Sequence, residues 1–232
     1  MTDWLRFDWD RAERSGVPEA VLGTGKRVDQ LVTIVDAARA RDAAVLFTRL
    51  DEVQAHALRE HAGAQGDLLV DDLSRTASRG RGPRRADLDG SIAVVAAGSS
   101  DQKIAAEAVA TLRFHGVDDI TEVYDVGVAG IWRLLEQAEL LSKHRVVIAV
   151  AGMEGALFSV VAGLVPGLVI AVPSSVGYGV ASDGRVALNS ALSSCSPGVV
   201  TVNVDNGFGG AIAAIKALGA IKAPGAARAD DK

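Results

Sequence analysis

The sequence predicts an α/β protein in which a three-layer, flavodoxin-like domain built on a parallel sheet follows a small α/β domain. Apolar runs alternate with segments of helical periodicity along nearly all of the 232 residues, which is typical of strands alternating with helices. In the second half the strand candidates are apolar on both faces, as expected when helices cover both sides of a parallel sheet. Aromatic residues make up only 4% of a chain that is 49% hydrophobic, which favours small side chains packed between helices and sheet over a β-sandwich.

The smaller domain is predicted over residues 1–88. Its expected elements are a short strand at Glu19–Leu22, a helix at Lys26–Arg41, a strand at Ala44–Phe47, a helix at Asp51–Ala62 and a strand at Leu68–Val70. In that order they form a βαβαβ-like unit.

A stretch rich in Arg, Gly and Pro, Ser74–Asp89, marks the boundary between the two domains. It contains a basic cluster of five arginines: Arg75, Arg79, Arg81, Arg84 and Arg85. Two interpretations stay open, a solvated linker or a loop that meets an anionic ligand.

The larger domain is predicted over residues 89–222 and is followed by a flexible tail, 223–232. Its strand candidates are Ser91–Ala97, Ile120–Tyr124, Arg145–Ala151, Leu168–Val172 and Val199–Val204. Its helix candidates are Asp101–His115, Gly130–Ser142, Gly155–Leu164, Val186–Ser194 and Gly209–Leu218.

Charge and hydropathy exclude several classes of protein. A formal net charge of −5 argues against nucleic acid as a general partner. The longest apolar stretch, 146–172, contains Glu154, Pro166 and several glycines, so it predicts strands and a helix rather than a membrane span. The amino terminus is acidic and has no apolar signal-peptide core, which favours a cytoplasmic protein without membrane partners.

Cys195 is the only cysteine, and its surroundings are unusual. It lies in the loop Ser193–Gly198, between a predicted helix and a predicted strand, among small polar neighbours. A lone thiol forms no disulfide within the chain, so Cys195 is either a buried packing residue or a reactive group. Its place at an element junction is compatible with a reactive role, and on position alone both interpretations stay open.

The first strand of the larger domain runs into Gly98, Ser99, Ser100 and Asp101, and a helix follows. Glycine lets a ligand approach the backbone, while the hydroxyls and the free amides of the helix start suit an anion. A Ser-Asp pair at this point is also an ordinary helix cap. Both interpretations stay open.

Glu154 follows another strand, in the turn after Gly152. We expect it at the same edge of the sheet as Asp101 and Cys195. It is either a surface acid that the helix dipole favours or a group held for proton transfer.

Three further turns carry small or polar residues after strands, and the convergence of all these turns on one edge predicts a binding site. The candidate substrate-binding residues in them are Asp125, Gly127, Ser174, Ser175, Gly177, Tyr178, Gly179, Asn206 and Gly207. The four histidines are scattered and show no metal-ligand spacing.

Six of these motifs, in this order and spacing, resemble one family. They are Gly98–Asp101, Asp125–Leu135, Val150–Gly163, Ala171–Gly179, Ser194–Gly198 and Val202–Gly210. They are similar to LarB, the pyridinium-3,5-biscarboxylic acid mononucleotide synthase family of nickel-pincer nucleotide biosynthesis and lactate racemase maturation. The start of the chain, Arg14–Glu19 with Gly25 and Lys26, resembles that family too. The larger domain also resembles the more distant PurE family, mainly through its Gly-Ser-x-Ser-Asp-like turn.

The LarB resemblance implies an enzyme that carboxylates C5 of the pyridinium ring of nicotinic acid adenine dinucleotide, with CO2 or bicarbonate, and splits the phosphoanhydride to release AMP. It also implies that Cys195 and Glu154 are the catalytic pair and that the protein is a homo-oligomer, an octamer as in both families. The chain departs from the family pattern at Trp132, Phe158 and Gln102–Ile104.

The chemistry suits these residue types. An electron-poor pyridinium does not attack CO2, but thiolate addition makes the ring an enamine, and a thiolate also leaves well. Splitting the anhydride requires charge stabilisation, for which Mg²⁺ is the expected cofactor, with Asp101 as its one candidate ligand.

Two other functions remain as alternatives, a PurE-like carboxyl transfer on aminoimidazole ribonucleotide and a non-catalytic nucleotide-binding protein.

Overall fold

The computed structural model describes residues 4–220, so the predicted tail at 223–232 lies outside the described residues. Within them the chain forms two sheets, one of four strands and one of five. Among residues 4–220, no helix combines the length and apolar character needed to cross a membrane.

The four-stranded sheet belongs to the amino-terminal part of the chain. Its elements are α1 (Arg11–Ser15), β1 (Ala20–Leu22), α2 (Val28–Arg39), β2 (Val45–Thr48), α3 (Glu52–Ala62), β3 (Leu68–Asp71) and β4 (Thr76–Arg79). Leu31 and Val35 of α2 pack with Phe47 of β2 and Leu58 of α3 in one buried core. α3 begins at a reciprocal cap in which Asp51 accepts the Gln54 amide at 2.8 Å and Gln54 Oε1 accepts the Asp51 amide at 3.0 Å.

The strand order β1-β2-β4-β3 corrects the expected βαβαβ-like unit. β4 lies in the stretch that we interpreted as a linker or a ligand-binding loop, and it separates β2 from β3, antiparallel to both. Its sequence, Thr-Ala-Ser-Arg, has no apolar run, so hydrophobic periodicity gives no signal for it. Thr76 and Ala77 are nevertheless buried, because this strand occupies the middle of the sheet.

The five-stranded sheet is parallel throughout and confirms the predicted fold class. Its elements are β5 (Ile92–Ala96), α4 (Gln102–Phe114), β6 (Ile120–Val123), α5 (Ile131–Leu135), α6 (Ala138–Leu141), β7 (Val146–Ala151), α7 (Ala156–Leu164), β8 (Leu168–Pro173), α8 (Arg185–Leu192), β9 (Val199–Thr201) and α9 (Gly207–Ala220). The order β6-β5-β7-β8-β9 is the flavodoxin-like 2-1-3-4-5 order.

The apolar strands supply two cores, one on each face of this sheet. Val94 and Ile148 point to the core shared with α4 and α9. Their neighbours Val95 and Ala149 point to the core shared with α7 and α8. This alternation is the three-layer arrangement that two-sided apolar strands predict.

Two elements differ from their predicted extents. The predicted helix Gly130–Ser142 is two short helices, α5 and α6, because the Gln137 amide bonds back to the Leu134 carbonyl and tightens the last turn of α5. The predicted strand Val199–Val204 ends at Thr201.

The five arginines of the domain boundary have hydrogen-bond partners, which are acids for four of them and a backbone carbonyl for Arg75. Arg79 bonds to Asp67 and Asp42, and Arg81 and Arg84 both bond to Asp118. The further partners are Asp89 for Arg84, Asp87 for Arg85 and the Leu50 carbonyl for Arg75. The boundary is therefore tied to both sheets.

Candidate active site at the carboxyl edge of the parallel sheet

The loops that follow the five parallel strands meet at one edge of the sheet. The strand order reverses between β5 and β7, and ligands of such sheets bind outside the carboxyl ends of the strands at that point. The loop with Asp101 follows β5 and the loop with Gly152 follows β7. The geometry thus places these two predicted segments on either side of the reversal.

Asp101 is the buried acid of this edge. Its side chain does not cap α4; instead Oδ2 accepts the Gly98 amide at 3.0 Å. Its other oxygen, Oδ1, is buried without a hydrogen-bond partner within residues 4–220. Burial raises the pKa of Asp101, and the nearby carboxylate of Asp205 raises it further, while Ser174 and the amides of Gly98 and Gly152 act against this. An unpartnered buried oxygen is costly, so this atom is a strong candidate for contact with a ligand.

Ser174 and Ser175 organise the loop after β8. The fully buried Ser174 donates its amide to the Ala151 carbonyl at 2.8 Å, and its Oγ accepts the Val176 amide at 3.1 Å. Asp205, in the loop after β9, accepts the Ser175 amide at 2.8 Å. These bonds join three neighbouring loops into one frame beside Asp101.

The glycines of the site divide into two groups. A Cβ on Gly152 would lie 2.1 Å from the Val176 carbonyl oxygen, and one on Gly177 would lie 2.3 Å from that of Ala181. At these positions, and at Gly207, the space that a Cβ would need is already occupied by the protein's own backbone. Gly98 and Gly179 have room around them, and Gly127 is intermediate, since a Cβ there would lie 3.0 Å from the Ala97 carbonyl oxygen.

Several predicted ligand-binding side chains have partners within the protein. Asn206 caps α9, because its Oδ1 accepts the Gly209 amide at 2.8 Å. Asp125 bonds to Arg133 at 2.5 Å. Ser99 and Ser100 are exposed at the start of the turn before α4. A ligand contact by each of these side chains stays a prediction.

Glu154 and Tyr178 lie exposed at the same edge. Glu154 precedes Gly155, the residue just before α7, and follows Met153, whose amide donates to the Val176 carbonyl at 2.8 Å. The β7 loop is therefore fixed against the β8 loop, and the Glu154 carboxylate, which has no hydrogen-bond or ion-pair partner within residues 4–220, lies close to the start of a helix.

Cys195 is exposed, which excludes the interpretation that it is a buried packing residue. It precedes β9, however, and in a parallel sheet the residues before a strand lie at the amino edge. The Val169 amide donates to the Gly198 carbonyl at 3.0 Å, at the beginning of β8. Our expectation that Cys195 shares the edge of Asp101 and Glu154 is therefore wrong.

The loop of Cys195 nonetheless contacts α7, the helix that follows Glu154. Ser194 Oγ lies 2.8 Å from Ser159 Oγ, and Ser196 Oγ donates to the Ser159 carbonyl at 3.0 Å. Ser159 is three residues into α7, a rise of about 4.5 Å from its first residue. The loop of Cys195 therefore contacts α7, the helix that begins two residues after Glu154.

Two acids near the edge were missed as site residues. Asp205 stands at the start of the turn that we singled out for Asn206 and Gly207, so its position was the available signal. Glu107 is buried in α4. The available sequence signal was an acidic residue among apolar residues that recur at helical spacing. Both line a cavity between the two sheets.

The acids of the edge fit a magnesium ion only in part. Within residues 4–220 there is no group of three or more His, Cys, Asp or Glu side chains arranged for a metal. Asp101, with its unpartnered Oδ1 and the neighbouring Asp205, fits the weaker mode in which one or two carboxylates and the phosphates of a substrate hold Mg²⁺.

Comparison with known proteins agrees with the fold. The AIR carboxylase family model matches residues 91–229, and the model of the LarB/PurE-like N-terminal domain matches residues 2–78. The larger domain is therefore of the AIR carboxylase, or PurE-like, class. With both domains in this order, the chain belongs to the LarB family.

Individual relatives come from one archaeon. An uncharacterized protein of Methanocaldococcus jannaschii is 36% identical over 212 residues, which cover 90% of this chain and 81% of that protein. The N5-carboxyaminoimidazole ribonucleotide mutase of the same organism is 38% identical over 132 residues, which cover 55% of this chain and 78% of the mutase.

Solved structures of PurE proteins are similar to the larger domain. The crystal structure of Treponema denticola PurE has a TM-score of 0.44 and 21% identity, and a PurE2 variant of that organism has 0.47 and 20%. Each match covers 56% of this chain and 80% of the solved chain.

Proposed function

We propose that the protein carboxylates nicotinic acid adenine dinucleotide and cleaves its phosphoanhydride. The products are pyridinium-3,5-biscarboxylic acid mononucleotide and AMP, on the route to the nickel-pincer nucleotide. The observation that carries the proposal is membership of the LarB family together with an exposed cysteine in the loop before β9. A carboxylase of the PurE class without covalent chemistry has no need of that thiol.

The first step is addition of the Cys195 thiolate to the ring carbon para to the nitrogen. The new C–S bond takes an electron pair from sulfur, and the ring nitrogen gains the pair that neutralises its positive charge. The product is a dihydropyridine in which C5 is the nucleophilic carbon of an enamine. Cysteine suits the step because its thiolate is both a good nucleophile and a good leaving group.

The second step forms the new carbon–carbon bond. C5 attacks CO2, which becomes a carboxylate, and the ring nitrogen becomes an iminium. Glu154 then removes the proton from C5, and expulsion of the thiolate restores the pyridinium. The exposed carboxylate of Glu154 suits this role because it lies just before α7, the helix that the Cys195 loop contacts at Ser159.

Cleavage of the anhydride consumes one water and releases AMP. We propose that Asp101, Ser174 and the turn at Gly98–Ser100 orient the phosphates at the strand reversal. A magnesium ion held by Asp101 and the phosphates would neutralise the charge that develops on the leaving phosphate.

The proposal includes a cytoplasmic homo-oligomer, an octamer. Large apolar side chains of the parallel-sheet domain lie exposed, a feature typical of subunit interfaces. They include Trp132, Leu135, Tyr178, Val180, Leu192 and Val200. Light scattering that shows a monomer independent of concentration would contradict this part.

A second candidate is carboxyl transfer on aminoimidazole ribonucleotide, which the similarity to the archaeal mutase favours. The protein is incubated separately with each nucleotide, bicarbonate and Mg²⁺, and the products are identified by mass. We expect a biscarboxylated mononucleotide and AMP in the first reaction. Carboxylation of the imidazole alone would support the second candidate, and two unchanged substrates would refute both.

A further inference from the structure

A small cavity lies between the two sheets, beside the candidate active site. It has a volume of about 180 Å³. The smaller domain contributes Thr24, Arg49, Ser74 and Arg75; the larger domain contributes Lys103, Ile104, Glu107 and Asp205. Asp205 also holds the Ser175 amide, so the cavity and the active-site loops share a wall.

Three cations face this cavity. Arg49 donates to the carbonyls of Val204 and Asp205, across the domain boundary. Arg75 donates Nε to the Leu50 carbonyl at 2.6 Å. Lys103 is exposed in the first turn of α4 and has no ion pair within residues 4–220. Because the two carboxylates of the lining, Glu107 and Asp205, offset only part of the charge of these three cations, the cavity attracts an anion.

Glu107 adds a second, independent feature. Its side chain is 4% exposed, Oε2 accepts the Phe208 amide at 3.2 Å, and Oε1 is buried without a partner within the described chain. Burial raises the pKa of this carboxyl, while Arg49 and Arg75 act against the shift. A buried oxygen without a partner marks the place where a ligand hydroxyl can donate a hydrogen bond.

The size of the cavity limits the ligand. A volume of about 180 Å³ is below the roughly 300–1,000 Å³ of sites that enclose a drug-sized molecule. The cavity adjoins a wider cleft of about 850 Å³ through the shared residues Arg75 and Lys103. The small cavity therefore suits a group smaller than a whole dinucleotide, such as a phosphorylated pentose, with any attached base in the cleft.

We propose that this interdomain cavity is a binding site for a ribose 5-phosphate group, with the phosphate on Arg75 and Lys103 and a ribose hydroxyl on Glu107 Oε1. Carboxylates commonly recognise ribose hydroxyls, and Arg and Lys recognise phosphate. The group belongs either to a mononucleotide or to a free pentose phosphate. The inference goes beyond the proposed function, because it assigns a site in a cavity whose lining does not include Asp101, and it needs no carboxylation.

Calorimetry with the full-length protein tests the site with ribose 5-phosphate, AMP and inorganic phosphate. We expect ribose 5-phosphate to bind at least tenfold more tightly than inorganic phosphate. AMP binding more tightly than ribose 5-phosphate identifies a mononucleotide as the source, and equal affinities identify the free sugar phosphate. No binding of any probe, or equal binding of inorganic phosphate and ribose 5-phosphate, overturns the proposal.

Two variants locate the binding. Lys103→Ala should lower the affinity for ribose 5-phosphate at least fivefold, whereas Lys143→Ala, an exposed lysine remote from the cavity lining, should leave it unchanged. Glu107→Gln should lower the affinity for ribose 5-phosphate several-fold without weakening inorganic phosphate, because only the sugar contact loses its carboxylate. Equal binding by the Lys103→Ala and Lys143→Ala proteins would place the ligand elsewhere and refute the site.

Discussion

Asp205 accepts the Ser175 amide at 2.8 Å, and this bond joins the loop after β9 to the loop after β8. The Asp205 backbone is in turn held by Arg49 of the smaller domain. The loop frame around Asp101 therefore depends on a contact across the domain boundary. This relationship gives the amino-terminal domain a structural role in the site.

Replacing Asp101 distinguishes a role of this residue in ligand binding from a role in shaping its turn. Asp101→Asn keeps an oxygen that accepts the Gly98 amide but removes the charge. We expect turnover to fall at least tenfold while the melting temperature changes by only a few degrees, because the fold retains its hydrogen bond. Steady-state kinetics and thermal unfolding measure the two effects. Wild-type turnover and substrate affinity in this variant would reduce Asp101 to a residue that shapes its turn.

The close approach at Gly152 predicts a steric effect on the site. Gly152→Ala places a Cβ about 2.1 Å from the Val176 carbonyl oxygen, so the β7 and β8 loops must separate. We expect destabilisation of about 1–3 kcal/mol and loss of turnover. Gly163→Ala is the matched control, because nothing lies within 4 Å of the Cβ that it would add and alanine favours helix. Chemical denaturation should find the control at least as stable as the wild type; equal stability of the two variants would contradict the argument.

The smaller domain has an acid-sensitive ion-pair network. Hydrogen bonds from Arg39 lower the pKa of Asp67 to about 2, with Arg79 adding to the effect and burial opposing it. A depressed folded-state pKa stabilises the protein above the ordinary pKa of aspartate and loses that contribution as the pH falls toward about 2. Asp67→Asn should therefore cost about 1 kcal/mol at pH 7.

The measurement for this network is denaturation of both proteins as a function of pH. The difference between wild type and Asp67→Asn should shrink between about pH 4 and pH 2. Asp72→Asn is a control, because that aspartate pairs with Arg59 at an exposed position and should change stability little. If the wild type were still more stable than Asp67→Asn at pH 2, the ion pairs of Asp67 would be excluded as the origin of the difference.

The sequence was sufficient for the larger domain because its physical signals are strong. Two-sided apolar strands such as Val146–Ala151 have no stable place except the middle of a helix-covered sheet. The same reasoning failed for Thr76–Arg79, where pairing with β2 and β3 rather than apolar periodicity determines the strand.

The site was predicted in part for a related reason. Turns after strands of a parallel sheet converge by topology, so Asp101, Gly152, Ser174 and Ser175 were found together. Cys195 precedes its strand, and topology alone places it at the other edge. Its contact with α7 depends on the Ser194–Ser159 pair, a tertiary contact without a local sequence signal.

The role of Glu154 is tested by separating adduct formation from product release. Glu154→Gln removes the base but not the nucleophile, so a Cys195 adduct with the dinucleotide should still form and absorb in the near ultraviolet. Carboxylated product should fall at least a hundredfold, within the range that a general base contributes. Glu139→Gln, an exposed acid on α6 paired with Lys143, should match the wild type. Normal product formation by Glu154→Gln would exclude it as the base.

The central claim is that Cys195 attacks the pyridinium ring, and the most direct measurement is incorporation of labelled bicarbonate by Cys195→Ser. A serine hydroxyl is nearly isosteric but is essentially un-ionised at neutral pH, so it does not replace the thiolate. We predict that the variant binds nicotinic acid adenine dinucleotide with near wild-type affinity, forms no near-ultraviolet adduct and incorporates no label into the mononucleotide. Label incorporation at the wild-type rate by the serine variant would contradict the covalent mechanism.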